Sequence, residues 1–132
     1  METDVIDGYL VRSGLTYDTV GEGMWVLHDE LENVDNIIVT LSAPVLVFRV
    51  KLMELPSDPA AQAALCRLLL ELNATAMVSG AYAIEGNAVI ALETLQSENL
   101  DLNEFQAAID GLTLAISEHY DQLKQYHTMA HA

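Results

Sequence analysis

The strongest constraint on this chain lies near its C-terminal end. Between Leu102 and His127, apolar or bulky residues recur as Leu102, Phe105, Ile109, Leu112, Ile116, Tyr120, Leu123 and His127. Steps of three and four match the 3.6-residue period of an α-helix and set all of them on one stripe. Glu104, Gln106, Asp110, Ser117, Glu118, Asp121, Gln122 and Lys124 fall between them as a solvated face. A helix this long needs a broad apolar surface to lie on, and the preceding stretch, Met77–Gln96, supplies one as a hairpin. Gly86-Asn87 is a type II′-like turn signal. With that loop, Ala83 faces Ile90 and Ala81 faces Leu92 on one side, while Tyr82 pairs with Ala91 and Ile84 with Val89 on the other. The alanine side leaves room for a helix to lie close. The other side carries Val78, Tyr82, Ile84, Val89 and Leu95, too apolar for a plainly solvated face.

Upstream, Val5–Ser13 reads as a short helix capped by Thr3 or Asp4 and stopped by Gly14. Asp18–Glu22 reads as a loop, Met24–Leu27 as a short strand and His28–Asn36 as an acidic turn. Ile37–Leu41 and Val45–Leu55 are the clearest strands, joined by Ser42-Ala43-Pro44. In the second of them Leu46, Phe48, Val50 and Leu52 point one way, and Val45, Val47, Arg49, Lys51 and Met53 the other. Asp58 fits an N-cap and Pro59 the first position of a helix over Ala60–Asn73. Ala61, Ala64, Leu65, Leu68, Leu69 and Leu72 make its apolar stripe so wide that it is buried on more than one side. The order is α-β-β-β-α-β-β-α. Strands and helices do not alternate strictly, so the fold class is α+β, an antiparallel sheet with helices, in a single domain over residues 1–132.

Composition narrows the partners. Hydrophobic residues make up 52 % of the chain, which argues against disorder, yet 20 acids face only five bases, for a net charge of −15. Such a surface repels phosphate backbones and anionic membranes, so neither nucleic acid nor membrane is an expected partner. It suits basic or disordered protein segments and keeps exposed apolar surface soluble. Cys66 is the only cysteine, which excludes an intramolecular disulfide framework. The start METDVIDGYL lacks the pattern of a signal peptide, and no apolar run reaches the ~20 residues of a membrane span, so the cytoplasm is the expected compartment.

Chemistry is weakly marked. His127 and His131 stand four apart, as two ligands on one helix face would, but no Cys or third His lies near them. Asp29, Glu30, Glu32 and Asp35 lack the glycine and the distal glutamate of a calcium loop. His119, beside Glu118 and Asp121, reads as a surface residue before a general base, and Cys66 as a small core residue. Trp25, Tyr17 and Tyr82 read as core or sheet packing before partner anchors. No phosphate-loop, nucleophile-elbow or zinc-protease motif occurs. The expectation is a protein that is not an enzyme and uses no cofactor and no metal.

One stretch resembles a known family. A Leu-rich helix ends in Leu72-Asn73-Ala74, followed by Ser79-Gly80-Ala81-Tyr82 and the hairpin Ile84-Glu85-Gly86-Asn87-Ala88-Val89. A strand ending in Thr94-Leu95 and a helix opening with Leu102 and Phe105 complete it. Over Leu68–Tyr120 this is similar to the class I type III secretion chaperones, the CesT-like proteins and the related YbjN-like proteins. The resemblance implies a homodimer, with Leu65, Leu68, Leu69 and Leu72 or nearby strands at the two-fold contact. It implies a partner protein segment held on apolar sheet surface, for which Val47, Met53, Tyr82, Ile84 and Val89 are the candidates. The YbjN-like branch implies the alternative of a stress-response or signalling regulator acting through a folded protein. A small metal-dependent enzyme, using the acidic turn or the C-terminal histidines, is the weaker alternative.

Overall fold

The computed structural model describes residues 2–29, 34–77 and 80–130. In chain order these form α1 (Glu2–Ser13), β1 (Thr16–Gly21), β2 (Met24–Asp29), β3 (Val34–Ser42), β4 (Val45–Glu54), α2 (Pro59–Thr75), β5 (Ala81–Glu85), β6 (Ala88–Gln96) and α3 (Leu102–Ala130). The six strands make one antiparallel sheet in the order β1-β2-β3-β4-β6-β5. The fold is the α+β arrangement read from the sequence, and the structure adds one strand. Thr16–Gly21, taken partly as loop, is the edge strand β1, and all its residues but Tyr17 are exposed. An edge strand with no apolar face carries no alternation to betray it.

Short turns fix the registers. Ala43-Pro44, with a cis peptide bond, joins β3 to β4. Gly86-Asn87 joins β5 to β6, and the pairs Tyr82–Ala91, Ala83–Ile90 and Ile84–Val89 follow as the sequence requires. Gly86 has φ +61° while Asn87 does not reach positive φ, the signature of a II′ turn.

Partners across antiparallel strands share a face, so the pairings sort every side chain. Trp25, Val39, Phe48 and Leu46 stand on one face, with Leu27, Ile37, Val50, Ala91 and Tyr82 beside them, and all are buried. α3 lies over this face. Phe105 packs against Phe48 with tilted rings, centroids 5.5 Å apart, and Tyr9 of α1 meets Phe105 at the same distance. The Trp25 indole donates to Asp7 Oδ1 at 2.8 Å, and Tyr9 donates to the Leu100 carbonyl at 2.6 Å, so α1 closes the N-terminal end of the same layer.

The expectation that α3 covers the alanine side of the β5–β6 hairpin is therefore corrected: it covers the Tyr82 side. Continuing Ala81 and Ala83 across the sheet leads to Leu92, Ile90, Arg49 and Lys51. A helix laid there would take two cations out of water, whereas the Tyr82 side continues into Val50, Phe48 and Val39.

The ends of the helices are held by named groups. Asp58 caps α2 by accepting from Ala61 N at 2.9 Å, with Pro59 in the first helical position. Near the other end of α2, Asn73 accepts from Tyr82 N at 2.7 Å and donates to Tyr82 O at 3.0 Å. One side chain thus satisfies the outward backbone groups of Tyr82 on the edge strand β5, where another strand could otherwise pair. Asp101 and Glu104 form a reciprocal capping box at the start of α3, at 2.7 and 3.3 Å. Where the chain enters β5, Gly80 has φ +79°, and a Cβ there would stand 2.5 Å from the Leu92 carbonyl oxygen and 3.0 Å from Leu112 Cδ2. Only glycine lets β5 pass so close beneath α3.

Candidate protein-binding surface

The second face of the sheet carries no part of the buried core cluster. Its central row runs Asp18, Val26, Ile38, Arg49, Leu92, Ala81, and the next row runs Met24, Thr40, Val47, Thr94. Val26, Ile38, Val45, Val47 and Leu92 are half-buried, while Met24 is 39 % exposed. Ile90 alone among these is fully covered, beside Ala83 and Lys51. A sheet face that leaves apolar side chains in contact with solvent around one central charge is a place for another chain.

The electrostatics of this face are local. Arg49 stands in its centre, with Nη2 3.5 Å from a Glu85 oxygen and Nε out of solvent without a hydrogen-bond partner. His28 Nε2 lies 3.7 Å from Asp18 Oδ2 at the β1–β2 end. The face therefore offers apolar side chains, one central guanidinium and a carboxylate at each flank.

The residues singled out from the sequence divide between the faces. Val47 lies half-buried on the open face, and Ile84 is 41 % exposed at the edge. Met53, Tyr82 and Val89 are instead buried under α3 and present no surface to a partner. For Met53 the cause is a register shift between Lys51 and Met53, which turns it from the mixed face to the covered one opposite Val89. Val26, Ile38 and Leu92 were not singled out. Their signal is visible only once the strands are paired, since each lies in a different strand and the three meet in one row.

In α2, Leu65, Leu69 and Leu72 turn into the chain's own core and Leu68 is half-buried against it. Three of the four leucines assigned to a two-fold contact thus have no area left for a second subunit. The outward side of the helix carries Leu70, 68 % exposed, with Cys66 half-buried beside it.

The reading of His119 as a surface residue is also corrected. It is buried, and its Nδ1 lies 2.6 Å from the Tyr82 hydroxyl, which also reaches the Ala115 carbonyl at 3.4 Å. Burial, with Glu118 as a lesser cause, pushes the Tyr82 phenol up to about 12. The pair is a satisfied polar contact inside the core that ties β5 to α3. Tyr120 and His127, placed on the buried stripe by spacing, are exposed instead.

Among the described residues no three His, Cys, Asp or Glu side chains are grouped to hold a metal ion. Glu30, Glu32, Val78, Ser79 and His131 lie outside the described residues. No helix among the described residues is long and apolar enough to cross a membrane.

A six-stranded antiparallel sheet, with α1 and α3 on one face and the other open, defines a protein of the type III secretion chaperone fold. The family model CesT_Tir_1 matches residues 2–129, and the chain belongs to this family. YbjN from E. coli, a proposed transcription regulator, matches with a TM-score of 0.65 at 14 % identity, over 91 % of this chain and 92 % of that one. A chain of the heterodimeric ExoU–SpcU complex from the type III secretion system of Pseudomonas aeruginosa matches at 0.67 and 17 % identity, over 86 % and 93 %. A chain of the HopA1–SchA chaperone–effector complex matches at 0.59 and 13 % identity, over 96 % and 92 %. No curated protein sequence matches the chain.

Proposed function

We propose that this protein is a non-enzymatic, chaperone-like binding module that holds an extended segment of a partner protein on its open sheet face. The observation that carries this reading is the row Val26, Ile38, Leu92, continued by Val47, left in contact with solvent on a chain whose other sheet face packs under α1 and α3. The membership of chaperone–effector complexes among the similar folds supports it. An extended segment presents alternate side chains to such a face, and the surrounding net charge of −15 steers basic segments toward it. The test is a tiled array of peptides covering the proteins encoded beside this one. One apolar, basic segment should bind and protect the amides of Val26, Ile38 and Leu92 from hydrogen exchange. Binding confined to intact folded proteins would instead favour the regulatory reading that the likeness to YbjN supports.

We further propose a homodimer joined through the outward side of α2. Leu70, 68 % exposed, shares the outward side of α2 with Ala63, Cys66 and Ala74, an apolar strip that a second copy could cover. Light scattering should give about twice the chain mass of 14.4 kDa, and Leu70→Glu should give a folded monomer. A wild-type monomer in solution would sink this part of the reading.

A further inference from the structure

The centre of the open sheet face is held by a group that the fold does not satisfy. Among the described residues, Arg49 Nε is the one buried side-chain nitrogen or oxygen without a hydrogen-bond partner. On α2, by contrast, Arg67 Nε donates to Glu71 at 2.9 Å. A Glu85 oxygen lies 3.5 Å from Arg49 Nη2, beyond the usual hydrogen-bond range of about 2.7–3.2 Å. That carboxylate balances the charge of the guanidinium and leaves its donors unused. A donor shut off from water and unpaired weakens a fold, so its place here calls for a reason other than folding. Ile38 and Leu92 stand directly across from Arg49 on the two neighbouring strands, both half-buried. An aliphatic residue between them would have completed an apolar row.

We propose that Arg49 selects the partner segment by donating to an uncharged acceptor, the side-chain amide of a glutamine or asparagine set among its apolar residues. This deepens the open-face reading and rests on it. The arginine side chain is 40 % exposed, so a turn about its long stem brings its fork of N–H groups to whatever lies on the face. Glu85 already supplies the negative charge, and a net charge of −15 on the chain opposes a second carboxylate. What the guanidinium lacks is an acceptor, and an amide oxygen is one that adds no charge. An aliphatic side chain in the same place would cover the donors and leave them unpaired.

The test uses the full chain and three capped peptides that alternate valine and threonine between lysine ends. They carry glutamine, leucine or glutamate in place of the central valine. NMR titration follows the amides of Val26, Ile38 and Leu92 for the place of binding, and the Arg49 Nε–H for the hydrogen bond. The glutamine peptide should bind about fivefold tighter than the leucine peptide, the size of one added hydrogen bond, and should alone protect the Arg49 Nε–H from exchange. In Arg49→Met the leucine peptide should become the tighter of the two, with an unfolding midpoint no lower than that of the wild type. Arg49→Lys keeps the charge without the fork and should lose most of the preference for glutamine. Tightest binding by the glutamate peptide, kept in Arg49→Lys, would show that charge is recognised and would overturn the proposal. A lowered midpoint in Arg49→Met would overturn it too, because the arginine would then serve the fold. Equal affinities of the three peptides at Val26, Ile38 and Leu92 would overturn it while the open-face reading stands. Shifts at none of these amides with any peptide would remove that reading, and the proposal with it.

Discussion

The two sides of β4 share one backbone, one set of ladder hydrogen bonds and similar β-forming residues, yet they meet opposite fates. Leu46, Phe48 and Val50 are 0, 0 and 2 % exposed, whereas Val45, Val47 and Arg49, one step out of phase, remain half-buried. Strand propensity does not separate the two sets. What separates them is the row each joins across the sheet: Phe48 continues into Val39 and Trp25, whereas Arg49 interrupts Ile38 and Leu92 with a charge. A sheet with one face that can be closed and one that cannot leaves the second for a partner, provided the surface charge keeps it soluble. The half-closed sheet is thus set by a few charges on alternate positions of one strand.

The largest break of this contrast is Phe48→Ala. It removes the side chain against which Phe105 packs, at the centre of the covered layer, and should cost about 4 kcal/mol by denaturant unfolding. A cost below about 1 kcal/mol would mean that the two faces are not packed differently. A smaller effect comes from Tyr82, whose hydroxyl is on the covered side and must stay paired there. The unfolded chain loses this proton near pH 10.0 and the folded chain near about 12. Folding is therefore favoured by the neutral phenol below pH 10, and that contribution is lost as pH rises from 10 to about 12. The loss amounts to about 2–3 kcal/mol at about 1.4 kcal/mol per pH unit. Alkaline titration of phenolate absorbance should show one of the five tyrosines ionising last, together with unfolding, and Tyr82→Phe should remove that late step. Five tyrosines ionising together near pH 10 would sink it.

How far the sequence could be read follows the same division. The β5–β6 register was legible, because a two-residue Gly-Asn turn leaves one pairing and Tyr82–Ala91 follows from it. The cap of α2 was legible too, since Asp58 and Pro59 carry their roles in their own chemistry. Which face α3 covers was not, because Tyr82 and Val89 on one side of the hairpin and Ile90 and Leu92 on the other are comparably apolar. The decision is made on the neighbouring strand β4, by Arg49 and Lys51. Met53 was misplaced by a register shift that strict alternation cannot foresee. His119 lies four residues after buried Ala115 and four before buried Leu123, so spacing alone would have put it on the inner stripe. Its polarity concealed what the Tyr82 hydroxyl makes tolerable.

The finest test applies one substitution to both sides of the strand. Val50→Thr places a hydroxyl under α3 where the position is 2 % exposed, and an unpaired hydroxyl there should cost about 2 kcal/mol of stability. Val47→Thr keeps the branched shape on the open face, where the hydroxyl can meet water, and should change stability by no more than about 0.5 kcal/mol. Its consequence belongs to binding. A methyl lost from the contact surface removes about 0.8 kcal/mol of apolar burial, so the affinity for a partner segment should fall about fourfold with the fold intact. Val47→Thr that unfolds the protein, or leaves segment affinity untouched, would show that this face is not held open for a partner, and the contrast within β4 would then concern packing alone.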